Sequence, residues 1–164
     1  MTSEPAHSRR RPRFRLKTRR HQRGKFGGLY HVDVLVGLRE HSRGDFILDY
    51  IPHVIIDFGT ATTTISGFDA RRMGINYGSL KQTGLALIGR HALKSYRLKN
   101  VLFVFRSEGK KPCYEYLPYC DVLAPEEGMN KKQHLPSMIG TDLLERFTIK
   151  PRKKWCYLER GRRS

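Results

Sequence analysis

Apolar residues cluster in short runs separated by polar or glycine-bearing stretches. Tyr30-His31-Val32-Asp33-Val34-Leu35-Val36 alternates in part and is β-branched, so it reads as a strand. Arg39–Gly44 reads as a turn, and Phe46–Ile51 as a second strand that Pro52 ends. Val54-Ile55-Ile56-Asp57 is a short apolar strand running into an acid. Ser66–Gly74 reads as a short helix, with Ser66 as N-cap, Asp69 three residues on, and Gly74 closing it. Further strands are expected at Gly84–Ile88, Leu98–Arg106 and Tyr119–Leu123, with loops at Ser107–Pro112 and Ala124–His134. Pro136–Gly140 reads as a strand end, Thr141–Phe147 as a second short helix capped by Thr141 or Asp142, and the chain from Thr148 as a last basic strand or tail. The pattern predicts an all-β body with two short helices. It lacks the alternation of a doubly wound sheet and any repeat of 20–50 residues.

Charge divides the chain more sharply than hydropathy does. The 164 residues carry a formal net charge of +17. Residues 1–25 hold ten Lys/Arg and one Glu, residues 150–164 hold seven and one, and residues 26–149 hold 15 basic and 13 acidic groups. A nearly neutral body of 26–149 is therefore expected between a basic N-terminal extension, 1–25, and a basic C-terminal tail, 150–164. Residues 9–25 contain no acid, and such a run repels itself and buries little, so by itself it should be extended and disordered.

That charge placement points to a polyanionic partner. The candidate phosphate-neutralising residues are Arg9, Arg10, Arg11, Arg13, Arg15, Lys17, Arg19, Arg20, Arg23 and Lys25 at one end, and Lys150, Arg152, Lys153, Lys154, Arg160, Arg162 and Arg163 at the other. Arg outnumbers Lys by eight to two in residues 9–25, and Arg forks onto phosphate and stacks on bases. Phe14, His21, Trp155 or Tyr157 are candidates to stack on unpaired bases.

Other chemistries find little support. The three cysteines, Cys113, Cys120 and Cys156, form no CxxC pair and no disulfide framework, which favours a reducing, cytoplasmic setting. The seven histidines are scattered without metal-ligand spacing, so neither a metal nor another cofactor is expected. No apolar run is long enough to span a bilayer.

Two segments about 80 residues apart carry the remaining information. They are Val54-Ile55-Ile56-Asp57-Phe58-Gly59-Thr60, followed by Ala70–Ile75, and Met138-Ile139-Gly140-Thr141-Asp142-Leu143-Leu144. Together they resemble the retropepsin-like aspartic proteases. In that family an apolar strand runs into Asp-Ser/Thr-Gly, a helix follows, and a later apolar-apolar-Gly precedes Asp/Asn-Leu-Leu. Gly84–Gly89 lies where the family carries its flap hairpin. The resemblance implies a retropepsin-like acid-protease β-barrel with extended basic termini. It also implies Asp57 as the catalytic carboxylate, and a homodimer, because each chain brings one such acid. Phe58 stands where the family has a hydroxyl residue that bonds across the dimer axis, and Thr60 stands where it has Ala or Ser.

Two functions are therefore expected. The first is an RNA-binding structural protein built on a catalytically degenerate retropepsin-like domain. A small neutral domain with Arg/Lys extensions resembles the general build of ribosomal proteins, which implies rRNA and neighbouring ribosomal proteins as partners. The second is a homodimeric aspartic endopeptidase working through Asp57.

Overall fold

The computed structural model describes residues 14–20, 28–39, 46–88, 91–107, 111–125 and 135–160. The first strands are β1 (Phe14–Lys17), β2 (Arg19–Arg20), β3 (Tyr30–Arg39) and β4 (Phe46–Ile56). Next come β5 (Thr64–Ser66), helix α1 (Gly67–Arg72), a 3₁₀ turn at Tyr77–Ser79, β6 (Lys81–Ile88), β7 (His91–Phe105) and β8 (Cys113–Leu123). The chain closes with β9 (Met138–Ile139), helix α2 (Thr141–Leu144), β10 (Thr148–Pro151) and β11 (Cys156–Arg160).

The larger sheet runs β2-β3-β4-β9-β5-β8-β7-β6, and a further pairing of β3 with β7 closes it into a barrel. Closure works because β7 changes partners along one edge. Its first half pairs with β6 from His91 to Arg97, and its second half pairs with β3 from Val101 to Phe105. Asn100, with φ +58°, lies between the two halves. A left-handed residue there is costly for most side chains but tolerated by Asn. Inside the barrel Val34, Val36, Ile51, Ile56, Ile65, Val101, Phe103, Phe105, Val122, Ile139 and Leu143 form one buried cluster.

Two expectations shift in instructive ways. The strands expected at Phe46–Ile51 and Val54–Asp57 are one strand, β4. Val32 pairs with Val54 and Val34 with Ile51, so Pro52 and His53 together face Asp33 alone. This is a β-bulge, and it lets Pro52 sit in a strand interior without breaking the ladder. His53 takes φ +56° there, and its N–H donates to Asp33 Oδ1 at 3.0 Å instead of to a ladder carbonyl.

The second shift concerns the ends of the chain. Their described parts are not solvated tails: β1 and β10 flank β11 in a three-stranded antiparallel sheet. Phe14 is 3% exposed and packs on Phe147, while Cys156 and Leu158 are fully buried. The reason is the period-two alternation of Phe14 and Leu16 with Arg15 and Lys17, and of Cys156 and Leu158 with Tyr157 and Glu159. Glu159 within this sheet and Glu115 on β8 take up part of the charge. Glu159 accepts from Arg15 Nε at 2.5 Å and pairs with Lys150 Nζ at 2.6 Å. Glu115, 1% exposed, pairs with Arg160 Nε at 2.9 Å and Arg146 Nη1 at 3.1 Å.

Removing one cation from Glu115 leaves a buried carboxylate half compensated, and such losses cost about 1–3 kcal/mol. Arg160→Ala should lower unfolding free energy by that amount in urea titration; no change would show the pair to be idle. Glu159 gives a pH prediction. Burial by itself raises its carboxyl, but hydrogen bonds from Lys150 and Arg15 outweigh this and hold it below the ordinary value. A depressed carboxyl stabilises the fold at neutral pH, and that contribution is lost as pH falls through its folded value. Glu159→Gln should be less stable at pH 7 and should lose less stability than the parent on acidification below about pH 4, measured by calorimetry.

Candidate active site

Asp57 follows β4 at the point where β4 meets the short strands β5 and β9. β9 runs parallel to β4, with Ile55 beside Met138 and Ile56 beside Ile139, and antiparallel to β5 through Thr64. Ladder bonds continue past the strand end, where the Asp57 N–H donates to Ile139 O at 3.0 Å. The chain then turns through residues 58–63 and re-enters as β5, so the carboxylate stands at the head of a loop held at both feet.

The turn also organises the carboxylate itself. The Gly59 N–H donates to Asp57 Oδ1 at 2.8 Å, and Thr60 Oγ1 donates to Asp57 Oδ2 at 2.6 Å. One donor on each oxygen fixes the plane of the group. Asp57 is half-buried, whereas Phe58 is 51% exposed at the apex beside it.

The second motif clamps this loop. The Thr141 and Asp142 N–H groups donate to the carbonyls of Thr60 and Ala61, at 2.8 and 3.1 Å. In return Asp142 receives the Thr63 N–H at 3.0 Å and Thr63 Oγ1 at 2.6 Å, and Thr63 Oγ1 accepts the Gly140 N–H at 3.1 Å. Gly140 must be glycine for a steric reason. A Cβ there would lie 2.6 Å from the Thr62 carbonyl carbon and 2.8 Å from the oxygens of Thr60 and Thr62, all backbone atoms. Asp142 was expected as a helix cap, but α2 has Gly140 at its N-cap with no side-chain cap bond. The Asp142 carboxylate is used instead to hold Thr63, 79 residues away in sequence. The helix is also shorter than expected, Thr141–Leu144 rather than through Phe147.

Helix α1 matches its expected signals. Ser66 caps it by accepting from the Asp69 N–H, and Gly74 takes φ +73° past its end. Sequence reasoning missed Ser137, whose hydroxyl donates to Asp69 Oδ2 at 2.7 Å and accepts the Ser66 N–H at 2.9 Å. It also missed Thr60 as a partner of Asp57. The signal available was a hydroxyl three residues past the acid, within reach across a tight turn.

The hairpin expected over the site is formed by β6 and β7, and Leu85 and Leu87 on β6 are well exposed. Of the cations singled out in the sequence, Arg15, Lys150 and Arg160 are engaged with Glu159 and Glu115. Arg20 donates to the carbonyls of Gly28 and Lys153, at 3.0 and 2.9 Å, and Lys17 Nζ lies 4.0 Å from the Trp155 ring centroid. Arg19, Arg152, Lys153 and Lys154 are exposed. Arg9, Arg10, Arg11, Arg13, Arg23, Lys25, Arg162 and Arg163 lie outside the described residues. Among the described residues no helix is long and apolar enough to cross a membrane.

Comparison with solved structures agrees with this architecture. The chain is similar to the crystal structure of a retropepsin-like aspartic protease from Rickettsia conorii, with a TM-score of 0.54 and 19% sequence identity over 90% of this chain and 91% of that one. No family model and no curated protein matches the chain. The fold is that of a retropepsin-like protease, an all-β barrel with two short helices.

The backbone contact at Gly140 yields a test of the clamp. Gly140→Ala forces the Cβ into three backbone atoms that cannot rotate away, so unfolding free energy should fall by about 3 kcal/mol, at the upper end for overpacking. A loss below about 0.5 kcal/mol in urea denaturation would mean that the two loops are not locked together.

Proposed function

We propose that this chain is one half of a homodimeric aspartic endopeptidase, with two copies of Asp57 facing each other across a two-fold axis. The observation that supports this reading is the preorganised carboxylate: Asp57 has a donor on each oxygen and stands on a loop clamped by the Gly140–Asp142 segment. A single such acid per chain is half of a proton-sharing pair, and two-fold symmetry supplies the other half.

In the dimer the two carboxylates lie too close for both to ionise, so they hold one proton between them. A water lodged against the pair loses a proton to the ionised Asp57 as its oxygen attacks the peptide carbonyl carbon. The protonated Asp57 gives its proton to the carbonyl oxygen, which yields a tetrahedral diol. Collapse of the diol re-forms the carbonyl, breaks the C–N bond and delivers a proton to the departing nitrogen. The Gly59 and Thr60 donors keep the carboxylates in place throughout, which matters because small misplacements of reacting groups are costly.

Phe58 changes the character of the axis. It has no polar atom to bond across the two-fold, and its half-exposed ring offers an apolar contact between the loops instead. Leu85 and Leu87 on the β6–β7 hairpin add exposed apolar surface on the flap, which suits a peptide with apolar side chains at the cleaved bond.

Asp57→Asn should abolish cleavage of an apolar-centred peptide library while leaving the melting temperature within a few degrees of the parent. Retained cleavage by that variant would exclude Asp57 as the catalyst. Thr60→Val, which removes one donor to the charged group, should lower kcat about 10–100-fold with little change in KM.

A further inference from the structure

A concave site lies on the surface formed by the first strands. It is a groove of about 440 Å³ lined by Arg15, Lys17 and Arg19 on one wall, by His31 and Asp33 of β3 on another, and by Arg106, Ser107 and Tyr157. That volume falls within the usual range for ligand sites, about 300–1,000 Å³, and has room for a nucleotide. Lys17, Arg19 and Arg106 line it against the Asp33 carboxylate, Arg15 being already paired with Glu159, and Arg19 and Arg106 are exposed.

Aromatic rings back the cations. Lys17 Nζ sits 4.0 Å from the centroid of Trp155, and the Arg15 guanidinium sits 5.1 Å from that of Tyr157. The turn that carries Trp155 extends the basic surface. Its Arg152 N–H donates to Trp155 O at 2.7 Å, and it is held to the β2–β3 edge by Arg20 Nη1 on Lys153 O and by the Tyr30 hydroxyl on Arg152 O at 3.1 Å. Residues from both ends of the chain thus meet: Lys17 lies on Trp155, and Arg20 bonds to Lys153, 133 positions away.

We propose that this groove and the adjoining Arg152–Trp155 turn form a docking site for single-stranded RNA. Rows of cations interleaved with rings match a chain of phosphates and unpaired bases, since the cations release counterions and the rings stack. Asp33 selects the sugar. Burial raises its carboxyl, but the His53 N–H and the Tyr50 hydroxyl outweigh this, so it remains an acceptor. A phosphate avoids such a group, whereas a ribose 2′-hydroxyl donates to it, and deoxyribose has no hydroxyl there to offer. The site is separate from Asp57 and does not depend on the protease reading.

The test uses the full chain, a labelled 12-nucleotide oligouridylate, the matching oligothymidylate, and vesicles of phosphatidylserine in phosphatidylcholine. The parent should bind the RNA more tightly than the DNA, and should bind either more tightly than the vesicles. The triple variant Lys17→Ala, Arg19→Ala, Arg106→Ala should weaken RNA binding more than 10-fold and reduce the slope of log affinity against log salt by about 2, at roughly 0.7 per lost phosphate contact. A control with equal charge loss elsewhere, Lys94→Ala, Lys99→Ala, Lys111→Ala, should stay within about twofold of the parent, and Asp57→Asn should be unchanged. An unaffected groove variant, or a control that loses as much, overturns the proposal. Equal DNA affinity overturns the assignment to RNA, and preferential vesicle binding replaces it with a lipid surface.

Discussion

The close approach of Gly140 to the backbone of Thr60 and Thr62 is the constraint on which the candidate site rests. Strand β9 must lie between β4 and β5 for its N–H and C=O groups to be used on both edges, and the loop from Asp57 to Thr63 must cross its end. Only a residue without a Cβ permits that crossing. Once it is made, the exposed N–H groups of Thr141 and Asp142 meet the otherwise orphaned carbonyls of Thr60 and Ala61, and the Asp142 carboxylate takes the N–H and hydroxyl of Thr63. These contacts hold the loop, and the Gly59 N–H and Thr60 hydroxyl carried on it fix the Asp57 carboxylate. A half-buried acid at a strand end would otherwise be free to rotate.

A parallel economy governs charge. The sequence places most of its excess cations at the two ends, where they would repel one another if left in solvent. Folding brings the described parts of these ends, β1, β10 and β11, into one sheet, where Glu159 of that sheet and Glu115 of β8 each take two cationic partners. Each carboxylate is buried while its cations remain partly exposed, so the charges are matched without stripping water from every member, which limits the desolvation penalty. Arg15, Lys150 and Arg160 are therefore structural charges. Lys17 and the Arg152–Lys154 turn have no ion pair among the described residues, and Arg19 faces only Asp33 across the groove.

Much of the fold was legible because its signals are local. The β-branched run at Tyr30–Val36, the Ser66 cap with its Gly74 stop, and the paired strand–glycine motifs each depend on neighbours in sequence. What was hidden depends on partners far away. Pro52 reads as a strand end unless Asp33, on the neighbouring strand, is known to receive the His53 N–H. Phe14–Lys17 reads as part of a repelling tail unless Glu159, 144 residues later, is known to face Arg15. Asp142 reads as a cap because its true partner, Thr63, lies on another loop. At the site, Asp57 and Gly140 were visible as motif residues, whereas the bond from Thr60 appears only once the turn has closed.

The same ladder that positions Asp57 also carries the edge of the cationic face. Arg20 pairs with Tyr30, and Tyr30 pairs with Ile56, the residue before Asp57. Two strand spacings, about 10 Å, separate the Arg20 backbone from that of Ile56, which is slightly more than the Debye length of about 8 Å at physiological salt. Tyr30 joins the two regions: its backbone lies in the ladder between Arg20 and Ile56, and its hydroxyl bonds to Arg152 of the terminal turn. One residue thus anchors both the strand that leads to Asp57 and the turn that carries Arg152–Lys154.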